Sequence, residues 1–467
     1  MIICALVDIE ERLTHQESRE TSRDIKNPLQ ESGGDMANVS GNSIPLSDSA
    51  AERIPFTAYD AGWVVLCIGM AIGSGVVFMP LQMGVKGFWV SVAALAIAYP
   101  AVHYLSNLYI RSLSESGQCK DYTGIITEYL GENWGVALSA VYFITLTKAM
   151  LIYSTTITHD GASYLQVFGV TQNSLALTHW FPFCVIAVMV AIASRGERLL
   201  FKVSGPLIVT KLSIVVFLGL SMIPYWSLKN VNLFLPSGSF SFIRDVLVSL
   251  PFAVFSIVYI QILNPMNVAF RKLESNPAIA TYRTLRASKY AYFILIACVL
   301  FFAFSFLFAT SAADAKYAVS QNISALALSA RVIPGDTVKI LATILNIVAI
   351  LTAFLGAYLG FHDAMKGIVV NILDRFMTRG PRFEKVLPAI IAAVSTVLLT
   401  CWVWADISSM ALLQWTSPTF GIVSCIIPSY LVWRVPALKK FRSASVLFVA
   451  FVGIMLMSTP LFKLLEH

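Results

Sequence analysis

Residues 69–80 read GMAIGSGVVFMP, and they interrupt an apolar run, 58–83, that otherwise has the length and composition of a membrane helix. In hydrocarbon no water replaces a lost backbone hydrogen bond, so each unsatisfied N–H or C=O group is costly. Three glycines and a serine in such a run are tolerated only where protein, water or a ligand takes up the freed groups. The stretch therefore predicts a helix that is broken inside the membrane.

The composition of the whole chain agrees with a membrane environment. Of its 467 residues, 57% are hydrophobic and 13% are charged, whereas soluble domains carry about 25% charged residues. The net charge of +7 does not indicate nucleic-acid binding, because the basic residues form short clusters between apolar spans instead of one continuous face. Seven scattered cysteines without a C-x-x-C pair predict neither a disulfide framework nor a metal site.

The first 57 residues differ from the rest of the chain. They are polar, charged and short of aromatic residues, which predicts a disordered cytoplasmic segment. The apolar stretch 2–7 is too short for a secretory signal peptide, and no small-residue cleavage pattern follows it. Met36 is a second plausible site for the start of translation. Residues 1–35 are therefore either part of the protein or an upstream extension that is not translated. Residues 58–467 form the predicted transmembrane domain.

Beyond residue 57 the chain is a succession of apolar runs. At about 20 apolar residues for each span, these runs predict an all-α integral membrane protein with about eleven transmembrane helices. The predicted spans are 58–82, 87–112, 136–158, 180–195, 203–224, 242–270, 290–312, 336–373, 386–404, 407–433 and 443–462.

The distribution of lysine and arginine predicts which loops are cytoplasmic, because cytoplasmic loops carry the excess of both residues. With the N-terminus inside, the inner loops hold most of the basic residues. An odd number of spans then places the C-terminus outside. The outer loops and span ends hold only Lys86, Lys229, Arg244, Lys316, Arg331, Lys339 and Lys463.

Two lysines lie inside predicted spans, Lys148 in the third and Lys211 in the fifth. A charge at the bilayer centre costs about 2.5–3.5 kcal/mol on insertion scales, so an intramembrane lysine marks a functional site by default. The alternative is a side chain that snorkels to the interface. Lys211 is too central for that, since eight residues of the span precede it.

The sixth predicted span contains a second interruption. Its two prolines, Pro251 and Pro265, bracket a polar stretch. Interrupted helices at corresponding positions in two halves of a chain indicate a transporter built from an inverted repeat, with its substrate site near the midplane. A simple proline kink is the alternative, but the two interrupted spans stand five apart. The bracketed polar residues are Ser256, Tyr259, Gln261 and Asn264.

Three stretches together resemble the hydroxy and aromatic amino acid permeases of bacteria, a family of the amino acid–polyamine–organocation superfamily that includes the serine and threonine permeases. They are AIGSGVVFMPLQMGVKG in span one, SLPFAVFS in span six and TAFLGAYLGFHDAMKG in span eight. The resemblance covers about residues 56–462. It implies an inverted five-plus-five repeat with broken helices 1 and 6, an appended eleventh helix, and import of an amino acid with protons through the bacterial inner membrane.

The resemblance also implies where the substrate binds. Gly73, Ser74 and Gly75 match the unwound middle of helix one, where free N–H groups and a positive half-helix end receive the substrate carboxylate. Carbonyl groups freed around Phe255 and Ser256 would receive the ammonium group. The candidates for the side-chain pocket are Tyr153, Tyr259 and Gln261.

The identity of the substrate stays open at this point. The break in span six reads FSIVYIQ, and it is less polar than the break in the serine permeases that the chain resembles. A serine-like or threonine-like substrate and a larger neutral or aromatic amino acid are therefore both candidates.

Spans five and eight predict the coupling ion. Sodium-driven members of the superfamily hold the ion between helix-one carbonyls and adjacent hydroxyls of helix eight, whereas in some proton-coupled relatives a helix-five lysine takes that place. Span eight offers Thr352 followed by Ala353, which is a single hydroxyl, and Lys211 lies on the expected helix. Lys211, Thr352 and Lys148 are therefore the candidate proton-coupling residues, with sodium coupling as the alternative.

A secondary active transporter with alternating access is the leading function, and an amino-acid-binding membrane sensor on the same scaffold is the second. A sensor needs a cytoplasmic signalling element, for which residues 1–57 are the candidate. The sequence has no P-loop, no H-E-x-x-H and no Gly-rich loop after a strand, so we expect neither an enzyme nor a cofactor. The predicted external segment 313–333 has helical spacing and is either a lid over the outer vestibule or a packed loop.

The predicted topology can be checked with paired reporters, one active only outside the cell and one only inside. Fused after Glu466, the external reporter should be active. Inserted at Asn276, the internal reporter should be active, because that loop follows the sixth span. The opposite pair of signals would exchange the predicted inner and outer faces.

Overall fold

The structure is a computed structural model, and it describes residues 54–115, 129, 131–194, 197–233, 238–373 and 381–466. The predicted N-terminal segment 1–57 lies almost entirely outside these ranges. Every regular element within them is helical, so the predicted all-α class is confirmed.

The helices are numbered here in chain order. They are α1 (Ala58–Ala71), α2 (Ser74–Lys86), α3 (Phe88–Ser114), α4 (Glu132–Val167), α5 (Phe181–Ala193), α6 (Glu197–Met222), α7 (Ser239–Phe255), α8 (Ile260–Leu273), α9 (Pro277–Ala309), α10 (Ala312–Ser320), α11 (Ala325–Val332), α12 (Asp336–Leu373), α13 (Pro381–Trp404), α14 (Ser409–Trp415), α15 (Ser417–Arg434) and α16 (Ala444–Leu464).

Each predicted span corresponds to a helix or to a broken pair of helices. In the described part of the chain, 8 helices are long and apolar enough to cross a membrane, and bent pairs raise the number to 10. The pair α1–α2 bends by 50° and the pair α14–α15 by 42°. Helix α5 is apolar but has only 13 residues, so the count of eleven spans stays a prediction.

Several helices extend beyond the apolar part that predicted them. Helix α9 begins at Pro277 and not near residue 290, because Asn276 caps its N-terminus by accepting a hydrogen bond from the Ala278 N–H (2.9 Å). Proline suits the first helical position, where its missing N–H group has no partner to lose. An apolar run in the sequence reveals only the apolar part of such a helix, and the polar first turns of α9 lie outside that run.

The two largest apolar cores among the described residues hold most of the bundle together. The larger core is built by α1, α2, α3, α6, α7, α8 and α9 with α10, α11, α14, α15 and α16. The second core is built by α4, α5, α12 and α13. Helices α4 and α12 also contribute residues to the larger core, so the two cores meet along them. Because lipid is as apolar as these side chains, close packing rather than the hydrophobic effect holds such helices together.

The first turn of α1 is anchored by a buried carboxylate. Thr57 and Asp60 form a capping box, and the fully buried Asp60 accepts a hydrogen bond from Arg283 Nη2 on α9 (2.7 Å). Arg283 also donates to Glu274, which follows α8. Removing one partner of a buried ion pair costs about 3–5 kcal/mol, so this cluster fixes where α1 begins relative to α9.

The opposite end of this helix pair is tied to the C-terminus. Lys86, the last residue of α2, binds Asp245 on α7 and Glu466, and Lys463 also binds Glu466. Burial acts to raise the pKa of the Glu466 carboxyl, but the hydrogen bonds from Lys463 and Lys86 outweigh it and hold that pKa below its usual range. The pair α1–α2 is therefore held at both ends while its middle is broken.

A further break, not predicted from the sequence, divides the tenth span. Helix α14 ends at Trp415, and α15 contains a π-helical turn, Gly421–Ile426. Gly421 packs directly on α16, because a Cβ atom at this position would lie 2.7 Å from the carbonyl oxygen of Gly453. Small residues of this kind let two membrane helices approach closely.

We expect Gly421→Ala to lower the thermal unfolding temperature of the purified protein in detergent. The added methyl group meets backbone, which cannot move alone, and overpacking of this kind costs about 1–3 kcal/mol. Gly356→Ala on α12 is the matched control, since nothing lies within 4 Å of a Cβ atom there. Equal unfolding temperatures for the two variants would contradict the close packing of α15 on α16.

Candidate functional site

The two predicted breaks contact each other through their main chains. Helix α1 ends and α2 begins around Gly73, and the chain between α7 and α8 is non-helical from Ser256 to Tyr259. A Cβ atom at Gly75 would lie 2.1 Å from the carbonyl carbon and oxygen of Phe255 and 2.3 Å from the nitrogen of Ser256. Only glycine permits this approach.

The helix ends that meet there carry opposite partial charges. Helix α2 begins at Ser74, so its first N–H groups, including that of Gly75, have no partner within the helix. Helix α7 ends at Phe255, and the backbone and hydroxyl groups of Ser256 and Ile257 take up the three carbonyl oxygens before that one. Within the described contacts, the carbonyl oxygen of Phe255 receives no hydrogen bond. The helix dipole makes the first end positive and the second negative. A molecule with one group of each charge matches this arrangement.

Lys211 takes up the carbonyl groups that the first break releases. Its Nζ donates to the carbonyl oxygens of Gly69 (3.2 Å) and Ile72 (3.4 Å) and to Oγ1 of Thr352 (2.8 Å). The side chain of Lys211 is buried on α6. Three acceptors match the three N–H donors of an ammonium group. Among the described residues, no carboxylate forms a salt bridge with it.

The predicted meeting of Lys211, Thr352 and the helix-one break is therefore present in the structure. Lys148 lies elsewhere, with its Nζ 5.0 Å from the ring centroid of Phe255. Within the described contacts, nothing joins Lys148 to Lys211. The structure thus places one buried lysine at the back of the first break and the other beside the second break.

Aromatic side chains lie around the point where the two breaks meet. Phe420 on α15 packs edge-on against Phe255, with 5.0 Å between ring centroids. The hydroxyl of Tyr153 on α4 lies 3.6 Å from where a Cβ atom of Gly73 would stand. Tyr153 is thus close to the first break, as predicted, whereas Phe420 belongs to a span whose break was not predicted.

Ser256 has a neighbour that the sequence did not reveal. Its hydroxyl donates to the carbonyl oxygen of Ala253 (2.7 Å) and lies 3.3 Å from the hydroxyl oxygen of Tyr99 on α3. The hydroxyl of Tyr292 on α9 in turn donates to the carbonyl oxygen of Tyr99 (3.0 Å). Tyrosines in apolar spans are common at membrane interfaces, so their number alone gave no signal for this contact.

Two of the predicted pocket residues do not join the site. The hydroxyl of Tyr259 donates to the carbonyl oxygen of Ser288 on α9 (2.9 Å) and lies 3.0 Å from the Ser288 hydroxyl. Tyr259 therefore fixes the second break to α9. Gln261 is exposed on α8, with no described contact to either break. The side chain of Ser74 lies outside the described part of the structure.

Three relatives in bacteria resemble the chain along most of its length. It is 42% identical over 429 residues to a probable serine transporter of Escherichia coli K12, covering 91% of this chain and 96% of the relative. It is 27% identical over 439 residues to the serine transporter SdaC of the same strain, covering 92% and 100%. It is 26% identical over 436 residues to the threonine/serine transporter TdcC of Edwardsiella piscicida, covering 87% and 96%.

Among solved structures, the crystal structure of MhsT in complex with L-phenylalanine aligns with a TM-score of 0.49 and 13% identity, over 86% of this chain and 97% of that chain. No family model matches the chain. The extended similarity to the E. coli probable serine transporter identifies a multi-pass transporter and not an enzyme. The chain belongs to the hydroxy and aromatic amino acid permease family, the family of the bacterial serine and threonine/serine transporters.

Proposed function

We propose that this protein imports serine, or threonine as a close analogue, together with protons through the bacterial inner membrane by alternating access. The observation that carries the proposal is the contact of the Lys211 ammonium group with the broken helix and with Thr352. The names of the relatives support the choice of serine over a larger neutral or aromatic substrate.

The meeting point of the breaks suits the head group of an amino acid. The carboxylate would accept hydrogen bonds from the N–H groups at the start of α2, near Gly75. The ammonium group would donate to the carbonyl group of Phe255, at the end of α7. Each charge then faces the helix end of opposite sign. Ser256, Tyr99 and Tyr153 are polar side chains near these positions.

Lys211 already binds the oxygen atoms that a sodium ion would need, which favours proton coupling over sodium coupling. A sodium ion would need the carbonyls of Gly69 and Ile72 and the hydroxyl of Thr352 as ligands, but all three already accept hydrogen bonds from the lysine. Loss of one proton leaves a neutral amine with fewer donors, and hydrogen bonds to a charged group are stronger than those to a neutral one. Proton release would thus weaken the contact.

This contact also joins the parts that alternating access would move. Gly69 lies on α1 and Ile72, just after that helix, belongs to the larger core, whereas Thr352 lies between Ile350 and Phe354 of the second core. A ligand shifts a conformational equilibrium only when it binds the two states differently. A proton on Lys211 meets this condition, because it stabilises the state in which α1 and α12 are bridged.

Gly75→Ala should abolish serine uptake into proteoliposomes, with a loss of at least about a hundredfold. The added methyl group would overlap the backbone of Phe255 and separate the two breaks. Gly367→Ala on α12 is the matched control, since nothing lies within 4 Å of a Cβ atom there. It should keep a parental folded yield and retain the geometry of the site. Full uptake by Gly75→Ala would remove the proposed head-group site.

Lys211→Ala should uncouple transport without abolishing substrate exchange. We expect serine counterflow to persist, whereas accumulation driven by an imposed proton gradient is lost, because no titrating group bridges α1 and α12. The measurement is uptake into proteoliposomes with imposed proton or sodium gradients, normalised to folded protein. Lys339→Ala, which removes a lysine paired with Asp336 near the start of α12, is the control and should accumulate serine normally.

Proton-driven accumulation that survives in Lys211→Ala would reject Lys211 as the coupling residue. Sodium-driven accumulation by the parent would reject proton coupling. A parent that binds serine but exchanges none between the two sides of the membrane would favour the sensor function over transport.

A further inference from the structure

A second buried charge lies away from Lys211, where α4 meets the α10–α11 segment. The side chain of Asp160 on α4 is fully buried. Its Oδ1 accepts a hydrogen bond from the backbone N–H of Ser324 (2.8 Å), and its Oδ2 accepts one from Nδ2 of Asn346 on α12 (2.5 Å). Ser324 is the N-cap residue of α11. One carboxylate therefore holds three elements together, and the proposed transport cycle makes no use of it.

Asp160 has no ion-pair partner among the described residues, although several titratable groups surround it. On its own helix these are Tyr164, whose hydroxyl lies 2.8 Å from Asn346 Nδ2, and His159. His159 contacts the carbonyl oxygen of Gln321 (3.0 Å) and approaches Asp406 after α13 (3.6 Å). The cation at the end of α11, Arg331, donates to Gln166 and packs on Tyr317.

A buried carboxylate without a counter-charge is costly in a membrane, so neutralisation by a proton is favourable. The Asn346 amide can serve both forms of the acid. With its nitrogen toward Asp160, it donates to the carboxylate. After a flip of the amide group, its oxygen would occupy the same place and accept from a protonated Asp160 and from the Tyr164 hydroxyl. The Oδ1 atom of Asn346 is buried without a hydrogen-bond partner in the described structure.

We infer that Asp160, with Asn346 and the start of α11, forms a second proton-binding site, which controls how firmly α11 is held on the bundle. The inference rests on the proposed proton-coupled transport and extends it to a group far from the helix-one break in sequence. N–H donors approach both carboxylate oxygens, so the site suits a proton and not a metal cation. Asn346 also lies on the same helix as Thr352, and α12 therefore contacts both proton-binding groups.

Protonation acts on α11 through its N-cap residue, Ser324. The charged carboxylate accepts a charge-assisted hydrogen bond from the Ser324 N–H group, and the neutral acid accepts a weaker one. Residues Ala325–Ala330 of α11 are buried against the bundle, so loosening their N-terminus exposes backbone that is otherwise protected. The predicted lid in segment 313–333 would then open more readily at low pH.

Hydrogen exchange of the α11 amides tests this in the full-length protein, reconstituted in lipid nanodiscs and measured over a range of pH. After correction for the intrinsic pH dependence, we expect exchange in the parent to rise by about tenfold toward low pH, the size expected when a charged hydrogen bond becomes a neutral one. Asp160→Asn keeps an acceptor oxygen but carries no charge. Its exchange should stay at the low-pH value of the parent at every pH.

Asp314→Asn is the matched control. Asp314 also accepts an N–H hydrogen bond at the start of a neighbouring helix, α10, through its capping box with Ser311, but it is only partly buried there. The variant should keep the parental pH dependence of α11. Sodium added at fixed pH should leave the exchange unchanged, and a sodium-dependent change would assign the site to a metal cation and overturn the inference.

A pH dependence that persists in Asp160→Asn would assign the response to another group, such as His159, and would overturn the inference. If Asp160→Asn does not fold, Asn346→Ala replaces it. The bond from the amide to the charged carboxylate is stronger than its bond to the neutral acid. Loss of the amide should therefore move the midpoint of the response by about one pH unit toward higher pH, and an unchanged midpoint would also overturn the inference. Exchange requires no transport, so absence of serine uptake in the parent would reject the proposed function without affecting this result.

Discussion

The ammonium group of Lys211 makes the broken helix possible. A helix that ends in mid-membrane leaves carbonyl oxygens that hydrocarbon cannot satisfy, and the lysine on α6 supplies donors to two of them. These hydrogen bonds offset both the free energy of burying the lysine charge and the free energy of leaving the carbonyl oxygens unsatisfied. The rest of the site depends on the break that this contact stabilises, because the start of α2, just after the break, packs against the end of α7.

The parts of the fold that the sequence predicted are those with a local signal. Apolar length predicted the spans, and glycine within an apolar run predicted the break beside Lys211. The long-range pairs had no such signal. Nothing in the sequence near Asp60 points to Arg283, and the π-helical turn after Gly421 depends on its packing with Gly453. The sequence also could not say which way Tyr259 faces, because a side chain at a break follows no helical period.

Three buried charged side chains each contact more than one helix. Lys211 bridges α1 and α12, Lys148 reaches from α4 to Phe255, and Asp160 joins α4, α12 and α11. Each of these contacts joins different helices, so each would change if the helices moved relative to one another. Packing alone gives a rigid bundle. Under the proposed function, charges placed across its internal boundaries would give it states whose populations depend on ligands and protons.

The contact between Gly75 and Phe255 has a consequence for how the family can diversify. The groups that would hold the amino acid head group are main-chain atoms, which remain whatever side chains are exchanged around them. Selectivity can then change through the few side chains near the breaks, such as Tyr153, Ser256 and Phe420, without rebuilding the recognition of the zwitterion. One scaffold can in this way give rise to transporters for different amino acids, provided that the glycine that lets the two backbones touch is retained.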